Sequence, residues 1–84
     1  MIKKIKNIDI AIPLYNEENS ISNLKEHLTD LEQKLSKLNI QYNIFFVDDG
    51  STDKTYKKLV ENFGLNKTYK IIRHKNNLNL NGFL

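Results

Sequence analysis

Cysteine is absent from this chain and proline occurs once. Without cysteine there is no disulfide framework, no thiolate zinc site and no cysteine nucleophile, and a reducing compartment is the natural setting. No apolar run approaches the roughly 18 residues that cross a bilayer, so no transmembrane segment is read here. The start, MIKKIKNIDI, carries charge but neither an apolar block of signal length nor a small-residue cleavage site. No export signal is read, and a cytoplasmic location is expected, with membrane association if the piece belongs to a longer chain. Repeats, low-complexity tracts and linkers rich in Gly, Ser or Pro are missing too. Residues 1–84 therefore read as one small unit.

Charge of one sign is also scarce. Thirteen Lys+Arg against ten Asp+Glu leave +3, and every basic residue except Arg73 is lysine. Lysine rising together with Asn and Ile marks AT-rich coding rather than a binding surface. A nucleic-acid reader clusters arginine with interleaved aromatics. Here Lys3, Lys4 and Lys6 flank a strand, while Lys54, Lys57 and Lys58 lie along a helix. These are read as solvated faces, and no nucleic-acid partner is expected.

What is present is alternation of strand and helix. Ile8, Ile10 and Ile12 alternate through IDIAIP, and Pro13 is expected to stop that strand. After the polar turn Tyr15-Asn16-Glu17-Glu18-Asn19, Asn19 or Ser20 can cap a helix. Ile21, Leu24, Leu28, Leu31, Leu35 and Leu38 then form one stripe at spacings of 3 and 4. Such a stripe packs on a sheet, or forms a short coiled-coil seam over residues 21–38. Asn43–Asp48 (NIFFVD) reads as a buried strand. Ser51 or Thr52 can cap a second helix with Tyr56, Leu59, Val60 and Phe63 inward and Gly64 at its end. Tyr69–Arg73 reads as a third strand.

The order β-α-β-α-β predicts an α/β fold with a parallel sheet, strand order 3-2-1 and right-handed crossovers. Phe46 lies opposite Phe45 and Val47, so both sheet faces read as buried, as in a three-layer arrangement. The chain supplies helices for one face only. The uncovered face is expected to meet further chain or a second copy.

In such sheets the loops leaving the carboxyl ends of the strands form the ligand crevice. Three would meet there: 13–18, 48–53 and 73–77. Tyr15 can stack on a base, and a carboxylate such as Asp49 can accept a ring N–H. Gly50 allows a tight turn beside a ligand. Free N–H groups near Ser51 and Thr52 could instead hold an anion. No G-x-G-x-x-G follows the first strand and no G-x-x-x-x-G-K-[ST] occurs, which disfavours a dinucleotide site and excludes a P-loop. Receiver-type domains place acidic residues after strand one, where this chain has Pro13-Leu14-Tyr15.

Ile12-Pro13-Leu14-Tyr15-Asn16-Glu17-Glu18, a long helix, then Phe46-Val47-Asp48-Asp49-Gly50-Ser51-Thr52-Asp53 closely resemble the amino-terminal part of family 2 glycosyltransferases. The resemblance runs from about residue 8 to 77 and is nearest the branch that glycosylates polyprenyl or dolichyl phosphates. It implies a truncated GT-A (Rossmann-like) domain and a UDP- or GDP-sugar donor. The implied reaction is inverting sugar transfer to a lipid-phosphate or saccharide acceptor. It assigns Pro13, Tyr15 and Glu17 to the nucleoside loop, and Asp49 with Asp48 to the base. It also implies a divalent metal, Mg²⁺ or Mn²⁺, bridging the donor diphosphate.

The family's D-x-D and its catalytic base do not occur here, and Asn77-Leu78-Asn79 stands where Asn-x-Gly is usual. The chain alone is therefore expected to be inactive, with neither catalytic nor metal-binding residues assigned. Each residue also has a plainer reading. Asp48 and Asp49 can be turn formers, Glu17 and Glu18 can favour a helix start, and Asp53 can belong to a first helical turn. Arg73 and His74 lie at the crevice edge, His74 as a solvated loop residue and His27 on a helix surface. The competing function is an interaction module that self-associates through the 21–38 helix.

Overall fold

The structure is a computed structural model that describes residues 6–75. Its elements are β1 (Lys6–Leu14), a 3₁₀ turn (Glu18–Ser20), α1 (Ile21–Lys37), β2 (Ile40–Asp49), α2 (Thr55–Phe63) and β3 (Tyr69–His74). The strands form one parallel sheet in the order β1-β2-β3, with β2 central. Leu14 pairs with Asp48, and Asp48 with Arg73. The carboxyl ends of all three strands therefore finish level.

Pro13 does not end the first strand, which continues to Leu14. β1 lies at the sheet edge, where a missing backbone donor is tolerated. Alternation then sorts the side chains. Ile44 and Phe46 of β2 are buried, and Ile10, Ile12, Leu14, Tyr42, Tyr69 and Ile71 pack beside them. Ile21 and Leu28 of α1 with Leu59 and Phe63 of α2 close the same core. The Phe46, Phe63 and Tyr69 rings meet at centroid distances of 4.6, 4.7 and 5.5 Å, within the range favoured for aromatic pairs.

Both helices thus share one face. The three-layer expectation becomes two layers among the described residues, because each strand is laid beside the last and both crossovers return over the same side. On the opposite face Phe45 and Val47 are half-buried and Ile72 is exposed.

The helix ends differ from expectation. Ser20 precedes α1 but makes no side-chain cap; its N–H donates to the Glu17 carbonyl at 2.9 Å, so the 3₁₀ turn starts the helix. Along the leucine stripe Ile21, Leu28 and Leu35 are buried, whereas Leu38 is 67% exposed. Asn39, with φ of 58°, provides the left-handed residue past the helix end. α2 begins at Thr55, later than a Ser51 or Thr52 cap would place it. Gly64 ends it in right-handed backbone, and a Cβ there would come within 2.5 Å of the Val60 carbonyl oxygen.

At the amino-terminal end of the sheet Glu32 of α1 holds two phenols. Tyr42 donates to its Oε2 at 2.7 Å and Tyr69 to its Oε1 at 2.6 Å. One carboxylate thereby ties α1 to both β2 and β3. Among the described residues no helix is long and apolar enough to cross a membrane.

Candidate functional site

The turn after β1 and the loop after β2 are bonded directly to each other. Asn16 adopts left-handed backbone, φ 51°, which Asn tolerates better than most residues. Its N–H donates to Ser51 Oγ at 2.9 Å, and its Oδ1 accepts from the N–H groups of Thr52 and Asp53 at 2.8 and 3.3 Å. Glu17 N–H donates to Thr55 Oγ1 at 2.7 Å, and Glu18 N–H to Asp53 Oδ2 at 3.2 Å. Lys58 Nζ donates to the Glu18 carbonyl at 3.0 Å. Gly50, with φ of 77°, supplies the turn between β2 and this loop.

These bonds overturn the anion alternative near Ser51 and Thr52. Ser51 N–H is taken by Asp48 Oδ1, Thr52 and Asp53 by Asn16, Lys54 by Glu18 Oε1 and Thr55 by Asp53 Oδ1. The donors that would cradle a phosphate are occupied by the chain's own oxygens. Burial alone would raise the Asp53 carboxyl, but hydrogen bonds from Thr55 and Glu18 outweigh it and hold it below the usual value. Asp53 is therefore a structural tie that lies before α2 rather than in its first helical turn.

The twin aspartates face different ways. Asp48 is fully buried, and its Oδ1 accepts from Ser51 N–H while its Oδ2 lies 3.7 Å from Arg73 Nε. The Arg73 guanidinium stacks 4.4 Å above the Tyr56 ring. Tyr56, expected in the core, is half-buried beneath it instead. Asp49 is partly exposed on the opposite face, its Oδ1 3.5 Å from the buried Nδ1 of His74. His74 is thus no solvated loop residue, because β3 extends far enough to pair it with Asp49.

Tyr15 directly follows β1 and Asp49 ends β2, each one residue beyond the Leu14–Asp48 pair of neighbouring strands. Tyr15 is 45% exposed at that rim, Glu17 is exposed beside it, and Pro13 lies opposite Val47. All five candidate residues therefore sit at one end of the sheet. Asn76 and Asn77 of the third loop, and Asn77-Leu78-Asn79, lie outside the described residues, as do Lys3 and Lys4. Among the described residues no three His, Asp or Glu side chains converge to hold a metal.

Sequence reasoning missed the Asn16 clamp, buried Thr55 and the Arg73–Tyr56 stack. Its own strand register carried a signal for Arg73, since a level third strand sets that residue against Asp48. Asn16 and Thr55 had none beyond their polar type.

With that geometry in view, the class is an α/β unit whose candidate residues gather at the carboxyl edge of a parallel sheet. Residues 9–82 match the family described as Glycosyl transferase family 2. The chain is 39% identical over 70 residues to an uncharacterized glycosyltransferase of Synechocystis sp., covering 83% of this chain and 21% of that protein. It is 41% identical over 61 residues to the undecaprenyl-phosphate 4-deoxy-4-formamido-L-arabinose transferase of Pectobacterium atrosepticum, covering 73% of this chain and 18% of that protein. The chain belongs to glycosyltransferase family 2. It spans about a fifth of the length of these curated relatives.

Proposed function

We infer that residues 1–84 are the amino-terminal, donor-nucleotide-binding part of an inverting family 2 glycosyltransferase with a GT-A domain, its strands ordered 3-2-1 when counted from the β3 edge. One observation carries this reading: the turn bearing Tyr15 and Glu17 is bonded along its length to the loop that follows Asp48 and Asp49. The rim so formed offers an exposed ring for stacking and a carboxylate to accept a base N–H. Pro13, Tyr15, Glu17 and Asp49 take the nucleoside, and Asp48 supports the loop from inside.

The donor is a UDP- or GDP-sugar. The name of the Pectobacterium relative favours a lipid-phosphate acceptor. A divalent ion on the donor diphosphate fits the chemistry of the family, but the described side chains do not build a site for one.

Calorimetric titration of the chain with UDP and GDP tests the reading. Weak binding of one of them is expected, and Asp49→Ala should abolish it with the fold intact. A folded chain with no preference for either nucleotide would sink the proposal. The chain alone should not turn over a nucleotide sugar; turnover by pure material would overturn that part.

A further inference from the structure

Asn16 does two things at one position. Its left-handed backbone turns the carboxamide oxygen onto two N–H groups of a loop more than thirty residues away, while its own N–H holds Ser51. It directly follows Tyr15, and the loop it grips directly follows Asp49 and Gly50. The oxygen also fills the Thr52 and Asp53 donors, which would otherwise be open to an anion.

We propose that Asn16 is a positioning residue for the nucleoside, acting through Tyr15 and Asp49 and keeping ligand phosphate off the α2 loop. This rests on the nucleotide reading above. The side chain needs no contact with the ligand. It sets the spacing of the two groups that grip the base, and it denies the α2 loop to the phosphates. Affinity should therefore follow the acceptor oxygen rather than the amide NH₂.

Two variants separate these roles. Asn16→Gly keeps the left-handed backbone without strain and removes the oxygen; Asn16→Asp keeps an acceptor there. Uridine and guanosine binding is read by ligand-observed NMR, inorganic phosphate binding by chemical-shift titration, and the clamp by amide exchange at Thr52 and Asp53. In Asn16→Gly both amides should exchange faster, nucleoside affinity should fall about tenfold, and phosphate should shift the Thr52 and Asp53 signals. Asn16→Asp should protect both amides and bind nucleoside within about threefold of the parent.

A Gly variant with freed amides and undiminished nucleoside affinity overturns the proposal while leaving the nucleotide reading standing. A parent chain that binds neither nucleoside overturns both, and amide exchange then still shows whether the clamp exists. Should Asn16→Gly fail to fold, Asn16→Asp decides alone: a folded, amide-protected variant with more than tenfold weaker binding overturns the proposal.

Discussion

Arg73 Nε stands 3.7 Å from Asp48 Oδ2, and that carboxylate has no solvent exposure. A buried carboxylate is costly unless its charge is matched, and the exposed guanidinium supplies the match from one side while resting on Tyr56. Arg73→Met keeps apolar bulk on the ring but leaves the charge unpaired. It should lose roughly 3 kcal/mol of stability. Adding Asp48→Asn should recover part of that, because Asn still accepts from Ser51. Urea denaturation of the three variants checks this; an unchanged midpoint for Arg73→Met would mean the pair contributes nothing.

The shared Glu32 carboxylate makes stability sensitive to alkali. Burial first, then the hydrogen bond and charge of Glu32, push the Tyr42 phenol from its usual 10.0 up to about 12, and the same causes raise Tyr69. Raised phenols favour the fold while protonated. That contribution is complete below about pH 10 and is lost as pH climbs through the raised values. The urea midpoint should hold up to about pH 10 and then fall, more steeply than in the double variant Tyr42→Phe/Tyr69→Phe. Parallel profiles for the two proteins would show that the phenols do not titrate with folding.

Asp53 works in the opposite direction. Its lowered carboxyl favours the fold while ionised, so the contribution is present above the usual carboxylate value and is lost as pH falls through the lowered one. Asp53→Asn should destabilise the chain at neutral pH and flatten the acid limb below about pH 4. Circular dichroism against pH, run beside the parent, reads both effects. An acid limb of the same slope in both would remove Asp53 from the account.

Leucines on one stripe should behave unequally. Leu28 is 4% exposed and Leu38 67%. Leu28→Ala should cost about 2–5 kcal/mol through lost burial and the cavity it leaves, enough to unfold so small a chain. Leu38→Ala should stay within about 0.5 kcal/mol of the parent. This pair also answers the coiled-coil alternative: Ile21, Leu28 and Leu35 are spent on the chain's own core. Equal, small costs at both positions would mean that α1 leaves the sheet to pair elsewhere.

Element order was legible because its signals are local. The helix stripes recur at spacings of 3 and 4, so Leu28 and Leu59 could be placed inward by pattern. Both faces of β2 read as buried, and only the crossovers chose the Ile44 and Phe46 side. The motif residues Pro13, Tyr15, Glu17, Asp48 and Asp49 were visible by type and order. Boundaries were less so. Pro13 looked like a stop because its effect depends on whether a neighbour needs its donor, and β1 turned out to be an edge. Ser20 makes no cap because a 3₁₀ turn leads into α1, and Ser51 and Thr52 make none because α2 starts only at Thr55, past a loop held by Asn16 and Glu18.

Local chemistry in the chain thus settled which segments are strand or helix, which residues form the core stripe, and which polar types gather at the sheet's carboxyl edge. Tertiary structure alone decided how those polar groups are used. Asp48 turned inward to Arg73 while Asp49 turned outward to His74, and Asn16 filled the Thr52 and Asp53 donors. The reason is physical: contacts between residues 25 or more positions apart depend on strand register and crossover geometry. Neither leaves a periodic trace in the sequence.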